Sequence, residues 1–182
     1  MRRETVGVPV GMRLARAEDA ASLRVIERRA GERFRDVDLD DIADDEPASV
    51  ETLVGYAIAG RCWVAFDDDD RPIGYLLVDE VDGHAHIEQV SVDPEHQGTG
   101  VGRSLVHQAE TWALETGRTA VTLTTFSDVS WNAPLYAHLG FVILSDDEIG
   151  PELRALRRSE SRRGLDKVMP RVCMKLTLQE SA

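Results

Sequence analysis

The chain has 182 residues, a length that fits one domain with a full-sized core, and 42% of them are hydrophobic, which excludes a disordered acidic polymer. The formal net charge of −12 argues against nucleic-acid binding through a general basic surface. No apolar run approaches the ~18 residues that span a bilayer, and only two cysteines are present, so the composition predicts a soluble, cytoplasmic protein without a signal peptide or a membrane partner.

The first predicted elements follow an N-terminal tail. Residues 1–11 have no periodic pattern and are interpreted as a loose tail in front of a single domain at residues 12–182. A short strand is predicted over Leu14–Arg16. A helix that opens at Glu18 comes next, because apolar residues recur there at three- and four-residue spacing along one face.

An acidic segment follows this helix. Residues 36–46 contain seven acidic side chains among eleven, with Leu39 and Ile42 spaced for one amphipathic turn. One interpretation is a solvated loop with a single helical turn. The other is an acidic lip beside a binding site, where the negative charge would attract a cationic ligand.

Three extended segments come next, separated by two turns. Cys62–Phe66 and Ile73–Val78 are joined by the strong turn signal Asp67–Pro72. The third segment, His84–Val92, follows the turn signal Asp82-Gly83. Short β-rich runs bounded by such turns predict a meander of three antiparallel strands.

The second half of the chain alternates helices and strands. The predicted elements are a helix over Gly100–Thr116, a strand over Ala120–Thr125, a short helix over Trp131–Leu139, a strand over Phe141–Leu144, a polar helical insertion over 146–170 and a last strand over Val172–Leu176. A strand, a helix and a second strand at this spacing form a crossover, so the strand after the first of these helices should lie parallel to the last meander strand. The fold class is therefore α/β with a mixed sheet.

A glycine-rich loop joins the meander to the first of these helices, and its residues are Gln97, Gly98, Thr99, Gly100, Val101, Gly102 and Arg103. Glycines allow close backbone approach, and the first amides of a helix have no internal partners, so this junction predicts an anion site suited to a pyrophosphate. A P-loop would need a lysine after its last glycine, and a dinucleotide-binding loop would need a different glycine spacing. A nucleotide-binding enzyme is kept as a minor alternative.

This loop and a second motif together resemble the GNAT superfamily of N-acetyltransferases. The loop matches the superfamily's pyrophosphate loop, Gln/Arg-x-x-Gly-x-Gly/Ala. The second motif, about 30 residues later, contains Asn132, Tyr136 and Gly140-Phe141. The resemblance covers roughly Arg13–Leu176 and is closest to bacterial members without an assigned substrate.

The resemblance implies the GNAT fold, a mixed, mostly antiparallel sheet of about seven strands with a central splay and flanking helices. It also implies acetyl-CoA as cosubstrate, with no metal. By similarity, the pantetheine arm adds to the strand before the glycine loop through main-chain bonds. The implied cofactor-binding residues are Val90, Ser91, Val92, Gln97, Gly98, Thr99, Gly100, Val101, Gly102, Arg103, Asn132 and Tyr136.

The implied chemistry is attack of a free amine on a thioester. A lysine-like amine has a pKa of about 10.4 and arrives protonated, so a carboxylate must accept its proton. Glu88 is the candidate base, against the alternative of an exposed strand residue with a salt partner. His86, on the same strand face, is the reserve candidate. Tyr136 is the candidate acid for the leaving thiolate, against the alternative of a packing residue.

The acceptor is predicted from charge alone. The resemblance places substrate choice in residues 20–50 and 145–172, and the acidic first region favours a cationic small-molecule amine. Peptide lysine or N-terminal acetylation is an alternative, as is a catalytically silent acyl-CoA-binding regulator. The insertion at 146–170 is interpreted as a docked helix, a homodimer contact or a lid over the acceptor site.

Overall fold

The computed structural model describes residues 11–167 and 169–179 of the chain. Its strands are β1 (Gly11–Leu14), β2 (Cys62–Phe66), β3 (Pro72–Val81), β4 (His84–Val92), β5 (Ala120–Phe126), β6 (Val142–Ile143) and β7 (Arg171–Thr177). Its α-helices are α1 (Ala20–Gly31), α2 (Asp40–Ala43), α3 (Val50–Ile58), α4 (Val101–Glu115), α5 (Ala133–His138) and α6 (Pro151–Arg162). Within the described residues, no helix has the length and apolar content that a membrane span needs.

The strands form one mixed sheet in the order β1-β2-β3-β4-β5-β7-β6. The pairs β1–β2, β2–β3, β5–β7 and β6–β7 are antiparallel, whereas β4 and β5 are parallel. The parallel pair is the one joined through α4, as the strand–helix–strand spacing predicts. The expected mixed, mostly antiparallel sheet of seven strands is confirmed.

Two parts of the prediction were wrong near the N-terminus. The first strand begins at Gly11 rather than Leu14, because Gly11 already pairs with Phe66 on β2; the rest of the expected tail, residues 1–10, lies outside the described residues. Helix α3 was not predicted at all. A local signal for it exists, since the hydroxyl of Ser49 accepts a hydrogen bond from the Thr52 amide at 3.1 Å as an N-cap.

Contacts divide the chain into two compact units. The first runs to Leu77 and includes Gln89–Leu105. Its core is formed by buried residues of α1, α3, β2, β3 and the adjoining turns, namely Ala15, Ala20, Leu23, Ile26, Leu53, Cys62, Val64, Tyr75 and Leu77. The organisation of residues 12–182 as a single domain stays a prediction.

The second unit comprises Val78–Glu88 and the chain from Val106 onward. In it, α6 packs an apolar face on the sheet: Leu153 is 2% exposed and clusters with Val81 and Cys173. The carboxylate of Asp82, in the β3–β4 turn, accepts hydrogen bonds from two amides in the first turn of α6, at 2.9 and 3.0 Å. The expectation that the insertion contains a docked helix is confirmed.

Candidate active site

The turn before the glycine loop is firmly held within the first unit. The Asp93 amide donates to the Ile73 carbonyl at 2.9 Å, and the Asp93 carboxylate accepts from the Glu95 amide at 3.1 Å. An ion pair of 2.8 Å joins Asp93 to Arg29 on α1. The end of β4 is thereby fixed where the loop leaves it, and a fixed loop needs little ordering when a ligand binds.

The glycine loop itself leaves open space above its backbone. Gly98 and Gly100 have φ of +74° and +96°, and a Cβ built on either would meet nothing within 4 Å. The side chain of Gln97 turns back to donate to the Val92 carbonyl at 3.1 Å. The main chain at the two glycines is therefore open, which suits the close approach of an anion.

Helix α4 begins directly after Gly100. The amides of its first turn have no partner inside the helix, and the helix dipole adds positive potential at this end. Val101 is buried and anchors the turn, whereas Arg103 is exposed. The loop and the helix start together have the open main chain that a phosphate site needs, and the phosphate site itself stays a prediction.

The last residues of β4 differ in what they can offer a ligand. Val90 and Val92 are half-buried. Ser91 is only 5% exposed, and its hydroxyl accepts a hydrogen bond from the Gln89 side chain at 2.8 Å. Its side chain therefore belongs to the interior of the first unit, and only the main chain of Ser91 is available for binding.

Glu88 lies where the parallel pairing of the sheet stops. The pairing of β4 with β5 covers three residue pairs, from Ala85 with Val121 to Ile87 with Leu123, and Glu88 follows directly. Its side chain is exposed to solvent. Surrounding protein atoms nevertheless withdraw part of its hydration and, with the nearby carboxylates of Asp79 and Glu160, raise its pKa to about 7. Such a carboxylate can accept and release a proton near neutral pH.

His86, the reserve candidate, is in a different environment. It is 1% exposed, and its Nδ1 lies 2.9 Å from the hydroxyl of Thr122 on β5. Burial lowers its pKa to about 4, so the ring is neutral at physiological pH. A histidine enclosed in this way serves packing and hydrogen bonding between the two parallel strands.

Helix α5 carries the second motif, in the second unit. The side-chain Nδ2 of Asn132 donates to the Thr125 hydroxyl at 2.7 Å, while its Oδ1 is buried and has no protein partner among the described residues. An unpartnered buried acceptor is costly unless a ligand N–H reaches it. The predicted role of Asn132 in binding the cofactor stays a prediction.

Tyr136 is positioned by the next turn of the same helix. Its amide donates to the Asn132 carbonyl at 3.1 Å, and its ring meets the Phe141 ring edge-on, with centroids 5.7 Å apart. Burial raises the pKa of Tyr136 to about 12, so its phenol stays protonated at neutral pH. A protonated phenol can donate to a leaving group.

The acidic segment is less available than its sequence indicates. Within residues 36–46, Asp40 and Asp44 pair with Arg35, the first at 3.1 Å. Glu46 accepts from two arginines of α1, at 3.3 and 3.0 Å. The loop contains one helical turn, α2, as one interpretation predicts. Its negative charge is partly balanced inside the first unit, which weakens the case for an acidic lip.

Sequence reasoning missed the charged groups around Glu88. Asp79 and Glu160 both raise its pKa, and Arg163 and Arg171 act in the opposite direction. Asp79 carries a weak signal, as an acidic residue that ends an apolar run. Glu160 carries none, because its approach to the sheet depends on how α6 docks. In the described part of the chain, no group of three or more metal-binding side chains comes together.

Comparisons with known proteins agree on one family. The model of the acetyltransferase (GNAT) family matches residues 23–141. A peptidyl-lysine N-acetyltransferase, YjaB of Salmonella typhimurium, is 30% identical over 105 residues, which cover 57% of this chain and 67% of that protein. The protein of the same name from Escherichia coli is 28% identical over 107 residues, covering 58% and 67%.

A solved structure supports the fold. The crystal structure of the PaiA N-acetyltransferase of Thermoplasma acidophilum, in complex with coenzyme A, has a TM-score of 0.68 and 16% identity, with 92% of this chain and 98% of that chain covered. At this identity the likeness concerns the fold alone. It confirms the expected arrangement of a seven-stranded mixed sheet with flanking helices.

Proposed function

Since the chain belongs to the GNAT family of acetyltransferases and uses acetyl-CoA as its acetyl donor, we propose that it acetylates the side-chain amine of a lysine in a peptide or protein. The observation that supports acetylation of an amine is Glu88, a solvent-exposed carboxylate at the point where the β4–β5 pairing stops, whose pKa is raised to about 7. The relatives named peptidyl-lysine N-acetyltransferases support a lysine acceptor.

In the proposed reaction, Glu88 accepts the proton that the lysine ammonium must lose. The free amine then attacks the thioester carbonyl carbon, a C–N bond forms, and the C–S bond breaks. Tyr136 donates a proton to the departing sulfur, and the second proton that the nitrogen must lose to become an amide restores the Tyr136 phenol. A base with a pKa near 7 is matched to neutral pH, because it is substantially ionised and still binds a proton.

The acetyl donor supplies an activated thioester, and this chain's own groups bind its carrier. We propose that the main-chain amides of Gly98, Gly100 and the first turn of α4 bind the pyrophosphate. The main chain of Val90 and Val92 binds the pantetheine arm, as an added strand would. The unpartnered Oδ1 of Asn132 accepts a hydrogen bond from an amide of that arm.

Tyr136→Phe is expected to lower kcat about tenfold or more, with little change in the KM for acetyl-CoA. The reason is that the substitution removes the proton donor and leaves the ring, which packs on Phe141, in place. Steady-state release of free CoA measures both parameters. A matched control is Tyr56→Phe, on α3 in the first unit. An unchanged kcat in Tyr136→Phe would contradict the proposed role.

A second candidate acceptor is a cationic small amine. It is favoured by the composition of residues 36–46, in which seven of eleven side chains are acidic. The two candidates share the reactive group, a primary ammonium, and differ in what surrounds it.

The cytoplasmic location and the homodimer expected from the sequence stay predictions.

An acceptor panel distinguishes the two. Release of free CoA is measured with an N-acetylated peptide that contains one lysine, the same peptide with arginine in its place, a polyamine and an uncharged aromatic amine. The lysine peptide is expected to have the highest kcat/KM, and the arginine peptide to be inactive. A higher kcat/KM for the polyamine would favour the small amine, and equal turnover of the uncharged amine would contradict both.

A further inference from the structure

The sheet face that carries Glu88 extends across β5. The side chains of His86 and Thr122 meet on this face, at 2.9 Å, and their strands pair in parallel. Side chains alternate along a strand, so Glu88 and Thr124, each two residues further on, lie on the same face. Both belong to the second unit. A charged group that contacts Thr124 is therefore on the same face as the proposed base.

Glu160 of α6 is the residue that contacts Thr124. The Thr124 hydroxyl donates to its Oε1 at 2.6 Å, and Arg157 donates to its Oε2 at 2.8 Å. Arg171 of β7 approaches both oxygens, at 3.3 and 3.4 Å. The Glu160 and Arg171 side chains are only 13% and 12% exposed. Charge-assisted bonds from three donors to a largely buried carboxylate hold it in one position.

Arg171 is held equally well from its other side. Its guanidinium lies over the Phe126 ring, 4.6 Å from the centroid, and donates to the Thr124 carbonyl at 3.3 Å. Three elements, α6, β5 and β7, thus meet at one charged cluster beside Glu88. The Asp82 cap holds the other end of α6. The helix is anchored at both ends.

We propose that Glu160 is a positioning residue for the acetyl transfer: it fixes α6 on the sheet face that carries Glu88 and, together with Arg171, sets the electrostatic environment in which Glu88 accepts the amine proton. The proposal rests on the proposed function of Glu88. Glu160 itself contacts no reacting atom. The effect on Glu88 comes from the carboxylate of Glu160 and from the Arg171 guanidinium that binds it.

The charged groups near Glu88 come from four elements of the second unit. Asp79 of β3 and Glu160 of α6 oppose ionisation of Glu88, whereas Arg163, directly after α6, and Arg171 of β7 favour it. On β4 itself, His86 is neutral. Removing the negative charge of Glu160 therefore lowers the pKa of Glu88, and removing the positive charge of Arg171 raises it.

The test compares pH profiles of kcat/KM in Glu160→Gln and Arg171→Gln. Both substitutions break the same cluster, but they remove charges of opposite sign. The acidic limb of the profile is expected to move to lower pH in Glu160→Gln and to higher pH in Arg171→Gln, each by about half a pH unit or more. Asp166→Asn, which breaks the 2.8 Å pair with Arg157 at the far side of the cluster, is the matched control.

Displacements in opposite directions support the proposal. A merely structural loss would move the acidic limb in the same direction in both variants, or leave it unchanged in both. An acidic limb that stays in place in both variants, or that moves in the same direction in both, overturns the proposal. If Glu160→Gln does not fold, judged by its thermal melt, the upward displacement in Arg171→Gln decides alone.

A second measurement separates this proposal from the proposed function. The side-chain carboxyl of Glu88, labelled with ¹³C, is titrated directly by NMR in the wild-type chain and both variants. If Glu88 is not the base, the kinetic limb will not follow its titration, but the opposite shifts of its carboxyl pKa will still be seen. If those shifts are absent, the role of Glu160 is refuted whatever the base is.

Discussion

Replacing Glu88 with Gln is expected to lower kcat/KM for the amine acceptor by about 10²- to 10⁴-fold, the range typical of a lost general base. The amide is nearly isosteric and cannot accept the proton. The KM for acetyl-CoA should change little, because the proposed cofactor contacts are main-chain groups further along β4 and in the glycine loop, and the side chain of Asn132, none of which Glu88 supplies. Steady-state release of free CoA, with each substrate varied in turn, measures both effects.

The pH dependence of kcat/KM tests the same role of Glu88. Glu88 must be unprotonated to act, so kcat/KM of the wild-type chain should fall as the pH drops below about 7, the pKa of its carboxyl. Glu88→Gln should lose this acidic limb along with the rate. The fall in the wild-type chain and its loss in the variant are both expected only if the acidic limb reports the titration of the Glu88 carboxyl.

His86 supplies the contrasting variant. His86→Asn removes a ring that burial keeps neutral and enclosed against Thr122, so the expected cost is in stability, with the acidic limb retained. Chemical denaturation measures the free energy of unfolding. If instead the histidine variant loses the limb and Glu88→Gln keeps both limb and rate, the base has been assigned to the wrong residue of β4.

Gly100→Ala is expected to raise the KM for acetyl-CoA by about 5- to 150-fold, with a smaller effect on kcat. Gly100 has a φ of +96°, a conformation that costs other residues about 1–3 kcal/mol. The new Cβ meets no protein atom within 4 Å, so the fold itself accommodates it. The substitution instead disfavours the loop conformation that binds the pyrophosphate, and its methyl group occupies space that the pyrophosphate needs.

Gly60 provides a matched control in the same unit. Its φ is +67°, and a Cβ there also meets nothing within 4 Å, but it lies just after α3 and is not part of the glycine loop. Gly60→Ala should therefore lower stability without changing the KM. Isothermal calorimetry with CoA checks the binding term directly. Equal CoA affinity in Gly100→Ala and the wild-type chain would contradict the phosphate site.

Local patterns were sufficient for most of the fold. The bounds of β2 and β4 agree with the sequence prediction to the residue, and the parallel pair β4–β5 was expected from the length of its crossover. Short turn signals and period-two apolar runs act over a few residues, so they are readable without tertiary information. Helix α3 was not predicted, although the Ser49 N-cap at its start is a local signal.

The sequence by itself determined which residues carry the motifs: the glycine loop, Glu88 on the strand before it, and Asn132 and Tyr136 one strand later. It made Glu88 the candidate base and His86 the reserve but could not decide between them, because alternation along β4 puts both on one face. Only the tertiary structure distinguishes the environments of the two residues, since neighbouring parts of the chain bury His86 and leave the Glu88 carboxylate exposed to solvent. The same holds for Glu160, whose place beside Glu88 follows from the docking of α6, a long-range contact that no local pattern encodes.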